Sequence, residues 1–64
     1  MKWSDITAIA EALCEAHPDV DPAKLRFVEL HNWIVGLPEF DDDHKRGGEK
    51  VLEAIQQAWI DEAE

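Results

Sequence analysis

Phe40-Asp41-Asp42-Asp43-His44 parts two apolar, helix-patterned stretches of the chain, and the fold follows from how this run is read. Consecutive Asp residues compete with helix hydrogen bonding through their own side chains, and they repel one another at this density. The run is therefore expected to be an exposed connector, with Phe40 pinning one end to the core. Three carboxylates beside an imidazole are hard donors that attract either a cation or a basic protein surface.

Outward from the connector, the 64 residues are expected to form one domain, 1–64, near the lower size limit for a core without metal or disulfide staples. Fifteen Asp and Glu against six Lys and Arg give a net charge of −9. Nucleic acid is a poor partner for such a surface, because phosphate binding needs a basic face, and here Lys24, Arg26, Lys45, Arg46 and Lys50 are scattered among acids. An electropositive protein fits better. The single cysteine, Cys14, excludes an internal disulfide and reads as a small, partly buried hydrophobe. No apolar run approaches the roughly twenty residues of a membrane span, and Met1-Lys2-Trp3-Ser4 does not resemble a signal peptide. The expectation is a cytoplasmic monomer with no membrane partner. Three Trp, two Phe and a good supply of Ile, Leu and Val suffice for a small core.

Helical periodicity defines three segments. Ser4 reads as the N-cap of the first, with Asp5 in its first turn; Ile6, Ile9, Ala10 and Leu13 form the apolar stripe, and Pro18 ends the helix by His17. Pro18-Asp19-Val20-Asp21-Pro22 is a stiff link that holds Asp19 and Asp21 outward. Residues 23–27 read equally as a short helical turn or a brief extended piece. A second helix uses Leu30, Ile34 and Leu37, widened by Trp33, and closes near Gly36 and Pro38. After the turn Lys45-Arg46-Gly47-Gly48, Glu49 opens a third helix buried along Val51, Leu52, Ile55, Ala58 and Trp59. Its last turn breaks a local rule, because Asp61, Glu62 and Glu64 stand at the negative end of the helix dipole. Such a violation marks either a solvated tail or a functional site.

The motifs exclude several chemistries. Three helices with a short insert allow a helix-turn-helix or winged-helix arrangement, yet the third helix carries Glu49, Glu53, Asp61 and Glu62 against Lys50, which argues against reading a DNA groove. His17, His31 and His44 lack zinc-site spacing; His31 reads as a core-edge residue, and His44 as a surface residue or a co-ligand of the three acids. No phosphate loop, nucleophile triad or Cys/His pair is apparent, so no enzymatic activity is expected.

Trp3-Ser4-Asp5, His17-Pro18-Asp19-Val20-Asp21-Pro22, Arg26-Phe27, Leu30-His31-Asn32-Trp33-Ile34, Leu37-Pro38-Glu39-Phe40-Asp41-Asp42-Asp43 and Glu49-Lys50 through Trp59-Ile60-Asp61-Glu62 together resemble the IscX family over nearly the whole chain. These are small acidic bacterial proteins encoded with the iron-sulphur cluster assembly machinery. The sequence departs from the family pattern at His17, where a family member has Tyr, and at Gly47-Gly48, where it has polar residues. The resemblance implies a mostly α, three-helix, modified winged-helix domain with at most a short extended segment. It also implies weak Fe²⁺ binding by surface acids and binding to the cysteine desulfurase, in competition with frataxin, to adjust the rate of cluster formation.

The expected metal residues are Asp41, Asp42, Asp43, Asp61 and Glu62, with Glu64 beside the last two as the next candidate. The same five acids head the expected partner contacts, followed by Asp5, Asp19, Asp21 and Glu49. Fe²⁺ on such an open site would keep several waters. Trp3 and Phe40 are the apolar contacts to consider if partner binding ignores salt. An acidic DNA mimic that blocks a nucleic-acid-binding protein is the alternative from another class.

Overall fold

The computed structural model describes residues 1–63. Three helices are formed, α1 over Ile6–Ala16, α2 over Phe27–Val35 and α3 over Glu49–Ala63, with single 3₁₀ turns at Pro22–Lys24 and His44–Arg46. The domain is small and all-α, as the periodicity implied. Extended backbone in the 23–27 stretch is confined to Leu25 and Arg26, which follow the first 3₁₀ turn; the described residues hold no strand pair such as a wing contains. Both local readings of this stretch were thus partly right. Asp21 sets the turn by accepting the Ala23 N–H at 3.0 Å.

One core joins the helices. Ile9, Ala10 and Leu13 of α1, Leu30 and Ile34 of α2, and Leu52, Ile55 and Trp59 of α3 are buried, and Ile6, Cys14, Leu37, Val51 and Ala58 pack around them half-buried. Trp3 just before α1 meets Gly47 just before α3, while His17 just after α1 lies 6.3 Å from Trp59 near the end of α3. The two helices therefore run side by side in the same direction. Their N-terminal ends, where backbone N–H groups are unpaired and the dipole is positive, lie together at the acidic connector.

Two local expectations are corrected. The helix begins one residue later than Ser4 implied: Asp5 is the N-cap residue, with its C=O accepting the Ile9 N–H at 2.9 Å. The Asp5 carboxylate turns back to the Lys2 N–H at 2.9 Å, because a tight turn closed by Asp5 N–H to Lys2 C=O, at 2.9 Å, precedes the helix. That turn exists because Trp3 is core. With 5% of its surface exposed, Trp3 is not available as the apolar interface contact considered above. Phe40 is half-buried against it, ring edge to ring face at 4.8 Å.

Gly47 has a packing role that a flexible-turn reading missed. A Cβ placed there would lie 2.5 Å from two atoms of the Trp3 ring, so the chain approaches the indole closely enough that only glycine fits without displacement. Gly48 has open space around it, and its C=O accepts the Leu52 N–H at 3.0 Å, which starts α3.

Candidate functional site

The acidic connector is laced to the first three residues. The Met1 ammonium donates to the Glu39 C=O at 2.7 Å, and the Asp41 N–H donates to the Met1 C=O at 2.8 Å. The Trp3 N–H donates to the Asp42 carboxylate at 3.0 Å, and the Trp3 indole N–H donates to the Asp43 C=O at 2.7 Å. Lys2 donates its ammonium to the Asp41 C=O and stands 3.5 Å from the Asp41 carboxylate. From the other side, His31 stacks on Trp3 with ring centroids 5.5 Å apart, and its Nε2 lies 2.8 Å from the His44 C=O. A carbonyl only accepts, so this nitrogen carries the proton.

The three Asp residues have different duties. Asp42 accepts the Asp43 N–H at 2.7 Å as well as the Trp3 N–H, and Asp43 caps the 3₁₀ turn by accepting the Lys45 N–H at 2.9 Å. Asp41 accepts no backbone N–H among the described residues; its side chain is 88% exposed and is paired with the half-exposed Lys2 ammonium. Replacing all three by Asn would therefore disturb local hydrogen bonds as well as remove charge. Among the described residues, no three His, Cys, Asp or Glu side chains are grouped to hold a metal ion.

The expected site residues divide between two ends of the molecule. Asp5 and Glu49 stand at the starts of α1 and α3, at the connector end with Asp41, Asp42 and Asp43. Asp61 and Glu62 occupy the last turns of α3, and at about 1.5 Å of rise per residue Asp61 lies about 18 Å along the helix from Glu49. Asp19 and Asp21 follow the C-terminal end of α1, exposed as expected. Gln56 secures that segment by donating to the Pro22 C=O at 2.8 Å and the Leu25 C=O at 3.3 Å. Glu64 lies outside the described residues. A single ion cannot be shared by the connector and the α3 terminus in this arrangement.

A family model described as iron-sulphur cluster assembly matches residues 1–64. The chain belongs to the IscX family. It is also 58% identical over 62 residues to an uncharacterized protein of Pseudomonas aeruginosa, an alignment that covers 97% of this chain and 94% of that protein. IscX-family membership places the chain among proteins of iron-sulphur cluster assembly, and the residues that carried the resemblance include those that build the connector. No helix among the described residues is long and apolar enough to cross a membrane.

Several residues that shape this IscX-family connector gave little signal in the sequence: Lys2, Trp3, His31 and Gly47; so did Gln56, which secures residues 22–25 at the other end. Only the Trp3-Ser4-Asp5 tripeptide and the Gly-Gly pair hinted at constrained positions.

Asp42 carries an electrostatic signature of the lacing. The Trp3 N–H holds its carboxyl below the usual value of 3.8, helped by the Asp43 N–H and by the charges of Arg46 and Lys2, while partial desolvation opposes them. A carboxyl depressed in the folded state stabilises the fold above its unfolded pKa, and this contribution vanishes as pH falls through the folded value. Asp42→Asn should therefore lower the melting temperature near neutral pH, with the gap to wild type closing as pH drops below about 3.8. Thermal melts across acid pH test this, and a gap that stays constant with pH would show that the charge of Asp42 has no part in it.

Proposed function

We propose that this protein is an acidic, non-enzymatic adaptor of cytoplasmic iron-sulphur cluster assembly. In this reading it binds a basic patch on the cysteine desulfurase, adjusts the rate of cluster formation in competition with frataxin, and carries Fe²⁺ weakly as cargo. The observation that carries the reading is the connector end. There Asp5, Asp41 and Glu49 are exposed on a frame held by buried Trp3, so the backbone that carries these carboxylates is ordered before binding. The acids of the opposite end, Asp19, Asp21, Asp61 and Glu62, form a second, separate contact region for a large partner.

Fe²⁺ would meet Asp41 first, the connector acid whose carboxylate pairs with the exposed Lys2 and accepts no backbone N–H among the described residues, and Asp42 and Asp43 through the oxygen capacity left beside their N–H bonds. Such a site keeps most of the ion's water and discriminates poorly among divalent cations.

Binding of purified desulfurase should weaken steeply from low to moderate salt, because exposed charges are screened over about 8 Å at physiological ionic strength. Asp41→Asn should weaken both the desulfurase complex and anaerobic Fe²⁺ binding while leaving the circular dichroism spectrum unchanged. No complex with the desulfurase, together with capture of nucleic-acid-binding proteins, would overturn the adaptor in favour of a DNA mimic. Unchanged Fe²⁺ binding in Asp41→Asn would move the iron to the Asp61 and Glu62 end.

A further inference from the structure

Between α2 and the first turn of α3 runs a shallow groove of about 280 Å³, walled by Phe27, Val28, His31, Asn32 and Leu52. Its rim holds an apolar residue in an unusual position. Val28 is 73% exposed, and among the described residues it stands alone as a large hydrophobic side chain left to solvent. Phe27 is half-buried and Leu52 nearly fully buried, so the groove floor is a continuation of the core. No charged side chain lines it; exposed Arg26 and Glu29 flank Phe27 and Val28 in the chain, exposed Glu49 stands three residues before Leu52, and exposed Lys45 and Arg46 follow His44. His31, which forms one wall, is the residue tied to the connector through the His44 C=O. Groove and acidic connector therefore adjoin.

We propose that this groove is the apolar anchor point of the partner interface: it accepts one apolar side chain from a segment of the cysteine desulfurase whose flanking residues are basic. The inference rests on the adaptor reading above. Charge complementarity selects the occupant. A chain with net charge −9 and the Asp-rich connector at the groove's end repels a second copy of itself and favours a cationic segment. The apolar floor supplies what charge alone does not, a desolvated contact beside the acidic connector, and a few such contacts dominate affinity at interfaces.

Val28→Glu separates the anchor from the electrostatics, because the two give opposite signs. An added carboxylate tightens an interface made only of charge with a basic partner, whereas it weakens one that seats an apolar side chain against Val28. The substitution sits in the first turn of α2, where a negative charge favours the helix, so the fold is retained. Calorimetric titration of purified desulfurase with wild type and Val28→Glu, at low and at high salt, is the test, with circular dichroism as the check on folding. The groove predicts affinity lower by about tenfold or more for Val28→Glu, persisting at high salt where the acidic contacts are screened. Equal or tighter binding by Val28→Glu would overturn the groove and leave the adaptor standing. A wild-type protein that fails to bind the desulfurase under both conditions would overturn the adaptor and, with it, the assignment of this occupant.

Discussion

Trp59→Ala is expected to cost about 3–5 kcal/mol, the range for truncating a buried aromatic side chain. Trp59 is 1% exposed, and its ring lies 6.3 Å from that of Trp33 and 6.3 Å from that of His17. The loss thus opens a cavity where α1, α2 and α3 meet. At roughly 0.05–0.15 kcal/mol per residue, a chain of this size has only about 3–10 kcal/mol of total stability, so a large fraction of the variant should be unfolded at room temperature. Urea denaturation followed by circular dichroism measures this directly. A cost below about 1 kcal/mol would mean that the three helices do not share the single core described above.

Trp3→Ala is expected to cost a similar amount, about 3–5 kcal/mol, and to do something Trp59→Ala does not. Trp3 stacks on His31, meets Phe40, fills the space against Gly47, and fastens Asp42 and Asp43 through its two N–H groups. Its removal should release the connector, which amide hydrogen exchange reports as faster exchange at Asp43 and Lys45. Trp3→Phe keeps most of the ring and loses the indole N–H to the Asp43 C=O, a change worth about 1 kcal/mol. Gly47→Ala attacks the same contact from the other side, and forcing a methyl group against the indole should cost about 1–3 kcal/mol. A cost for Trp3→Ala below about 1 kcal/mol would mean that the indole is not the fastening that the geometry indicates.

The helices were legible because burial writes itself at a period of 3.6 residues. Ile9, Ala10 and Leu13, then Leu30 and Ile34, then Leu52, Ile55 and Trp59 appear in the sequence as stripes and in the structure as the core. The helix ends at His17 and near Gly36 were legible as well, since Pro18 and Pro38 restrict the residues before them. The start of α1 was misplaced because Ser4 and Asp5 are both good caps, and what chooses between them is a turn imposed by the burial of Trp3, a contact that spans some forty residues along the chain.

Composition and local pattern by themselves determined an acidic, three-helix chain with an exposed Asp-rich connector and a family resemblance carried by ordered short segments. Tertiary structure alone decided which acids stand together. The side-by-side course of α1 and α3 places Asp5 and Glu49 with the connector and sends Asp61 and Glu62 to the far end, and the lacing by the first residues divides three neighbouring carboxylates into one that meets the exposed Lys2 and two that hold backbone N–H groups. The reason is physical: periodicity encodes which face of a helix is buried, whereas the hydrogen bonds that commit or free a carboxylate depend on backbone groups brought to it from the other end of the chain.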